Sequence, residues 1–274
     1  MSLLVRASQP ASSVSWKTVA AVALALTTLC AFLLIPGSIA TKTHLVLHGI
    51  CAQRPSHSLQ LGGATLPLDA RMSGLYLGMA TTGLWLFATN RLRSTRAPGR
   101  PVLALLVCFL VVLAVDGFNA LAVDLGLPHP YEPNNTLRLA TGILGGIALG
   151  CLVAAIFAGS MWARADRHQS LVSRPVELLP PLGIAAALGA LALTGLPILY
   201  APFAVGLMAV AVSAFAVMAM VLLALVTGRG WTCRDYHDLI PMASAGLIGA
   251  ILFMGGLSWL RVVAENASAI PRLT

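Results

Sequence analysis

Side chains that could bind a metal ion are grouped in one short polar segment near the start of the chain. His44, His48 and Cys51 are spaced i, i+4 and i+7, so they share one face if residues 38–53 form a helix. Imidazole and thiolate groups are ligands for zinc and other borderline metals. The alternative is that Cys51 is a buried thiol and that both histidines are polar residues of a helix lying at a membrane surface.

A second group with chemical potential consists of ionisable residues inside or beside long apolar segments. Asp116 lies well inside the apolar segment 101–125, and Arg71 and Arg138 lie at the ends of neighbouring apolar segments. A carboxylate exposed to lipid costs several kcal/mol, so we expect a polar cluster of Asp116, Arg71, Arg138 and Asn135. Such a cluster could fix helix packing through a buried ion pair. The functional alternative is a pocket for an anionic or quinone-like head group, or a proton path.

Other kinds of site lack the residues they need. All six histidines lie in loops or at predicted helix ends, which argues against a haem held by two histidines in the middle of a membrane. The sequence has no phosphate-binding glycine loop, nucleophile elbow or His-Glu metalloprotease motif.

The elements that position these residues are membrane helices. Hydrophobic residues make up 58% of the chain and charged residues 9%, with a mean hydropathy of +0.88, whereas a soluble domain carries about 25% charged residues. The excess of 17 Lys and Arg over 9 Asp and Glu then indicates basic loops at a membrane surface rather than binding to nucleic acid. Membrane lipids are the expected partners.

Seven segments are close to the roughly 20 residues that a spanning helix needs. Pro197 and Pro202 interrupt the long apolar run near its middle and divide it into two spans joined by a tight uncharged turn. The first span follows a short polar arm, and we interpret it as an uncleaved helix rather than a signal peptide. The predicted spans are 16–35, 72–88, 101–125, 137–162, 178–199, 202–226 and 239–262.

The loop between the first two spans, residues 36–71, contains a hairpin signal. Apolar and polar residues alternate on both sides of Gly62 and Gly63, and glycine supplies the positive φ that a two-residue turn requires. The predicted fold is therefore all-α: a polytopic transmembrane bundle of about seven spans with a small hairpin-containing outer loop.

Lys and Arg are distributed unevenly between the two ends of this bundle. Eleven of the 17 lie in the N-terminal arm and alternate loops on one side, and the positive-inside rule places that side in the cytoplasm. The N-terminus is then inside, and the C-terminus and loop 36–71 are outside.

Small residues mark two helix faces that can pack closely in lipid. Gly142, Gly146 and Gly150 share one face of the fourth span, and Gly74 and Gly78 share one face of the second. Packing within one chain is the simpler interpretation, and oligomerisation is the alternative.

Two ordered blocks of residues resemble an uncharacterised prokaryotic family of polytopic membrane proteins, known as domain of unknown function 2085. The resemblance covers about residues 40–150 and implies a prokaryotic cytoplasmic (inner) membrane. The first block comprises Cys51, Pro55, His57, Ser58, Gly62, Gly63, Pro67, Gly74 and Tyr76. The second comprises Asp116 and Gly117, then Asn135, Arg138, Thr141 and Gly142.

The sequence departs from the family pattern at the positions where that pattern has Cys and His. Ala52 stands where the pattern has His, and Asp69 and Met72 stand where it has Cys. The resemblance implies that those Cys and His residues are metal ligands or a redox pair, of which Cys51 remains. A tetrahedral zinc site needs four ligands, or three and a water. Such a set could consist of His44, His48, Cys51 and Asp69, and His57 could replace one of them.

These observations leave three classes of function. We favour a non-catalytic accessory or scaffold subunit of a membrane complex that handles electrons, quinone or pigment, with other membrane-protein subunits as partners. The alternatives are a metal- or thiol-dependent membrane enzyme acting at the outer face, and a carrier of small solutes or ions. Bound lipid, quinone, pigment or zinc are the candidate cofactors.

The expected organisation has three parts. Residues 1–15 form a cytoplasmic arm, residues 16–163 form the transmembrane region that resembles the family, and residues 164–274 form a C-terminal transmembrane region of three helices.

Overall fold

Helices make up most of the fold. The computed structural model describes residues 16–269, so the predicted arm 1–15 and residues 270–274 lie outside the described residues. The helices are α1 (Trp16–Leu34), α2 (Ile39–Leu47), α3 (Ala70–Ala88), α4 (Arg100–Asp124), α5 (Asn135–Met161), α6 (Leu179–Leu193), α7 (Tyr200–Val226) and α8 (Ile240–Ala269). The short strands are β1 (Ser58–Leu61), β2 (Ala64–Asp69), β3 (Ser94–Arg96) and β4 (Asp166–Ser170).

Seven of the helices run between the two ends of one bundle, and α2 is a short helix at one end. Six of the seven are long and apolar enough to cross a membrane. The seventh, α3, has 19 residues but is less apolar. It nevertheless connects the two ends, since Arg71 at its start contacts Asp116 in the last third of α4, and Arg91 just after it contacts Glu177 beside the start of α6. The predicted all-α polytopic bundle is confirmed.

Three helix ends differ from their predicted positions. The helix predicted over residues 38–53 ends at Leu47, so Cys51 lies beyond it. The fifth predicted span, 178–199, corresponds to α6 and ends at Leu193, because Gly195 adopts a φ of 70° and Pro197 opens a separate turn. The last helix continues to Ala269. The boundary predicted at residue 163 stays a prediction.

Helices α3 and α5 approach so closely that their main chains touch. A Cβ atom at Gly74 would lie 2.2 Å from the carbonyl oxygen of Leu139, and one at Gly146 would lie 2.1 Å from that of Leu75. A Cβ atom at Gly78 or Gly142 would come similarly close to the main chain of the opposite helix. The small-residue faces of these two helices therefore pack against each other within the chain.

The hairpin cap, residues 36–69, covers one end of the bundle, which we call the hairpin end. Strands β1 and β2 pair antiparallel around Gly62 and Gly63, whose φ values are 60° and 79°, as the two-residue turn requires. The Gly62 N–H donates to the carbonyl of Gly195 at 2.8 Å, and the Tyr200 hydroxyl donates to the carbonyl of Thr65 at 3.2 Å. The cap is thus bound to the connection between α6 and α7.

The opposite end, which we call the arginine end, is closed by loop contacts that the sequence pattern did not predict. Strands β3 and β4 form a parallel pair. The guanidinium carbon of Arg93 lies 4.4 Å from the ring centroid of Trp162 and 4.9 Å from that of Tyr236. This stack connects the loops that follow α3, α5 and α7 through cation–π contacts.

The outer faces of the bundle carry large apolar side chains. Helix α1 has no buried residue, and Phe118 and Leu252 are 72% and 70% exposed. Such faces are stable against lipid tails rather than water, so the chain contacts membrane lipids along its sides.

The contact between α3 and α5 predicts opposite effects for two glycine substitutions on the same helix. Gly78→Ala should destabilise the fold by about 1–3 kcal/mol through overpacking, because its Cβ would lie 2.4 Å from the carbonyl oxygen of Ile143. The control Gly83→Ala should be neutral or stabilising, since nothing lies within 4 Å of its Cβ and alanine favours helix. Thermal unfolding in detergent measures both, and equal midpoints for the two variants would contradict the close approach.

Candidate functional site

The buried carboxylate of Asp116 is the centre of the polar cluster at the hairpin end. Its side chain is 1% exposed. Arg71 donates from Nε and Nη2 to Asp116 Oδ2 at 3.0 and 2.6 Å, and from Nη2 to the Asp116 carbonyl at 3.0 Å. The predicted neighbours Arg71 and Asp116 therefore lie together, and their two-pronged contact fixes α3 against α4.

Two further side chains donate hydrogen bonds to this carboxylate. The Tyr131 hydroxyl donates to Oδ1 of Asp116 at 2.9 Å, and the Thr141 hydroxyl donates to Oδ2 at 3.0 Å. Asn119 holds the main chain of Tyr131 through its side-chain amide, which donates to the Tyr131 carbonyl at 2.8 Å. One carboxylate thus connects α3, α4, α5 and the loop between α4 and α5.

Arg138 does not join this cluster, contrary to the prediction. Its Nη1 donates to Oδ1 of Asn135 at 3.0 Å, and no carboxylate oxygen in residues 16–269 lies within 4.0 Å of it. Asn135 in turn donates to the carbonyls of Ser56 and Ser58 at 3.2 and 3.3 Å. Arg138 lies one helical turn closer to the hairpin cap than Thr141, so it belongs to the contact between α5 and the cap.

The partners Tyr131 and Thr141 were missed as members of the cluster. Thr141 stands three residues after Arg138, so the i+3 spacing placed it on the same helix face and could have indicated it. Tyr131 lies in an irregular loop and carried no such signal.

The four residues proposed as metal ligands do not converge on one point. His44 Nε2 lies 3.0 Å from the carbonyl oxygen of Thr65, and His48 faces Glu265 at 3.6 Å. Cys51 and Asp69 do meet, with 3.9 Å between Sγ and Oδ2. In the part of the chain that the structure describes, no group of three or more His, Cys, Asp or Glu side chains could hold a metal ion. The set is separated because the helix that was to align it ends at Leu47.

The environment of Cys51 disfavours its reactive form. Burial raises the pKa of this thiol, and the nearby carboxylate of Asp69 raises it further. Burial also lowers the pKa of His44. The thiolate is the form that attacks substrates or binds metals, so Cys51 is a protonated, packed thiol at neutral pH.

Several residues of the first family-like block, and Gln53 and Asp69 beside them in the chain, fold the cap. Asp69 caps α3 by accepting from the Met72 N–H at 2.7 Å, and Pro55 begins the turn that ends at His57. Gln53 donates to the carbonyls of His44 and Pro67 at 2.9 and 3.2 Å. Tyr76 is buried in the core below, at 4% exposure.

An arginine near the end of α8 also holds the cap and was missed as a site residue. Arg261 donates from Nη1 to the carbonyl of His48 at 2.7 Å and to that of Cys51, and from Nη2 to that of Ala52 at 3.2 Å. These carbonyls follow the C-terminal end of α2, whose partial negative charge favours a cation. Gly49 allows this approach, since a Cβ there would lie 2.5 Å from the Ser258 nitrogen.

The bundle, its apolar outer faces and its internal polar cluster define a multi-pass helical membrane protein. Residues 51–152 match the family described as "Predicted membrane protein (DUF2085)". An uncharacterized protein of Methanothermobacter thermautotrophicus is 34% identical over 103 residues, which are 38% of this chain and 83% of that relative. The chain belongs to this family. No solved structure matches it.

The Arg71–Asp116 pair predicts a large loss of stability when one partner is removed. Asp116→Asn should cost about 3–5 kcal/mol, because it leaves the partly buried guanidinium of Arg71 without its counter-charge. Adding Arg71→Gln should cost less than the sum of the two single changes if the residues pair directly. Unfolding free energies in detergent test this coupling.

The exposed pair of Arg54 and Asp124, 2.7 Å apart at the rim, provides the control. Asp124→Asn should cost no more than about 1 kcal/mol, as for surface ion pairs. Additive effects of Asp116→Asn and Arg71→Gln would contradict the direct contact.

The burial of Cys51 predicts slow modification by a water-soluble maleimide. We compare two variants that each contain a single cysteine. The first keeps Cys51, and the second combines Cys51→Ala with Ala52→Cys. Ala52 is exposed, so its replacement thiol should react many-fold faster at pH 7. Equal labelling rates would mean that the cap leaves Cys51 accessible and ionised.

Proposed function

We propose that this protein is a non-catalytic accessory or scaffold subunit of a membrane complex. The observation that carries the proposal is that the chemically capable groups at the hairpin end are occupied by neighbours in the same chain. Asp116 accepts from three side chains that come from three different elements. A carboxylate used in this way holds helices together and is poorly placed to take a proton from a substrate.

The thiol and imidazole groups of the cap support the same interpretation. Cys51 is 6% exposed and its pKa is raised, and His44 lies against the carbonyl of Thr65. A metal- or thiol-dependent enzyme needs an accessible thiolate or at least three converging ligands. The cap meets neither requirement with His44, His48, Cys51 and Asp69, so the enzyme alternative at this site has less support.

The side of the bundle offers a surface on which another subunit can pack within the membrane. Helix α1 has no buried residue and contacts mainly α8. The kind of complex is suggested by the family pattern, whose Cys and His positions fit electron-, quinone- or pigment-handling systems. This chain has kept the scaffold and replaced most of those side chains.

The proposal predicts that the protein co-purifies with other integral membrane subunits. The full chain is tagged, expressed at its natural level in the native membrane, crosslinked and isolated in mild detergent, and its companions are identified by mass spectrometry. Stoichiometric companions should appear for both the wild type and Cys51→Ala. A multi-pass protein of unrelated sequence with the same tag is the control.

Two results would overturn this proposal. A monodisperse chain without companions would remove the accessory role. Stoichiometric bound metal that is lost in Cys51→Ala would instead favour the enzyme alternative.

A further inference from the structure

The two ends of the bundle differ in net charge. Among residues 16–269, the hairpin end has five Lys or Arg and five Asp or Glu residues, whereas the arginine end has ten Lys or Arg and four Asp or Glu residues. The basic residues of the arginine end are Lys17, Arg91, Arg93, Arg96, Arg100, Arg164, Arg167, Arg174, Arg229 and Arg234. Such an excess of one sign attracts anions to this end.

A cavity of about 540 Å³ opens within the arginine end, between the paired strands β3 and β4 and the start of α4. Its lining includes Arg96 from β3, His168 and Gln169 from β4, and Ser173 from the loop that follows. Gly99, the N-cap residue of α4, forms the side next to the membrane helix. The parallel strand pair thus places one guanidinium and several polar side chains around one space.

The donors in this lining are not used by the rest of the described chain. Arg96 makes one hydrogen bond, from Nη1 to the carbonyl of His168 at 3.4 Å, so its Nε and Nη2 groups remain for another acceptor. The imidazole of His168, the side-chain amide of Gln169 and the hydroxyl of Ser173 donate to no group in residues 16–269. The carboxylate in the lining, Asp166, accepts from the main-chain N–H groups of His168 and Gln169 at 2.8 and 3.1 Å. The cavity therefore has free donors around a guanidinium, which suits an anion.

An exposed apolar face of α4 leads away from this cavity. Leu103 lies one turn beyond Gly99, and Val107 lies one turn beyond Leu103. Both side chains are at least half exposed, so they face lipid tails. A lipid whose head group lies in the cavity would have its acyl chain against Leu103 and Val107.

We propose that this cavity binds the phosphate group of an anionic phospholipid, with Arg96 as its main counter-charge. Arginine suits phosphate because its planar guanidinium can donate two parallel hydrogen bonds, and basic residues beside a membrane helix attract anionic lipids. The same donors would accept a free phosphate ion. The apolar face of α4 below the cavity favours the lipid.

The test compares full-length protein in vesicles of phosphatidylglycerol with protein in vesicles of phosphatidylcholine. Native mass spectrometry and the thermal midpoint report binding. The wild type should prefer the anionic lipid by about tenfold or more, the usual worth of a charge-assisted hydrogen bond. Arg96→Gln should lose most of this preference. The matched control Arg229→Gln removes an exposed charge from the same end but outside the cavity, so it should keep the preference.

A second variant separates loss of binding from loss of charge. Ala97→Trp fills the cavity and leaves every charge in place. Ala97 is exposed, and Ser170 contacts only its main-chain carbonyl, so the thermal midpoint in phosphatidylcholine should stay unchanged while the lipid preference is lost.

Three results would overturn the proposal. The first is a wild type without preference for phosphatidylglycerol, and stabilisation by inorganic phosphate in that case would identify a free ion as the ligand instead. The second is an equal loss in Arg96→Gln and Arg229→Gln, which would mean diffuse attraction to the whole end rather than a site. The third is a folded Ala97→Trp variant that keeps the preference of the wild type.

Discussion

The direct contact of the α3 and α5 main chains is the constraint on which the hairpin end depends. Gly142 lies so close to α3 that a Cβ there would be 2.2 Å from the Arg71 carbonyl oxygen. With its main chain held against α5, Arg71 extends its side chain to Asp116 on α4. Thr141, the neighbour of Gly142, donates to the same carboxylate. The glycine contact thus sets the distance at which three helices share one buried charge.

This arrangement explains how a chain with so few charged residues keeps several of them inside or beside an apolar bundle. Asp116 is neutralised by Arg71 and satisfied by two hydroxyl groups, and Arg261 is satisfied by carbonyls at the end of α2. A polar group in lipid needs such partners because water cannot supply them. Arg138 departs from this pattern, because its hydrogen bond goes to the neutral side chain of Asn135.

The sequence allowed the bundle, the hairpin and the pairing of Arg71 with Asp116 to be predicted, because apolar length, a Gly-Gly turn and a charge at membrane depth are strong local signals. It did not place Tyr131, Arg261 or the strands at the arginine end, since these depend on contacts between distant segments. The predicted alignment of His44 with Cys51 was wrong because helix length was inferred from side-chain spacing. Contacts with α8 at Gly49 and Arg261 instead shape the chain after Leu47.

The modest hydropathy of α3 has a consequence for how the protein is made. Because α3 falls outside the group of helices apolar enough to enter a bilayer on composition alone, its insertion depends on neighbouring segments. Its main packing partner, α5, begins at Asn135 and leaves the ribosome only after α3 and α4 have been synthesised. During that interval the glycine face of α3 is uncovered, and Arg71 has no counter-charge until α4 brings Asp116. We therefore expect α3 to settle in the bundle only when α5 arrives, so that the order of helices in the chain becomes an order of assembly.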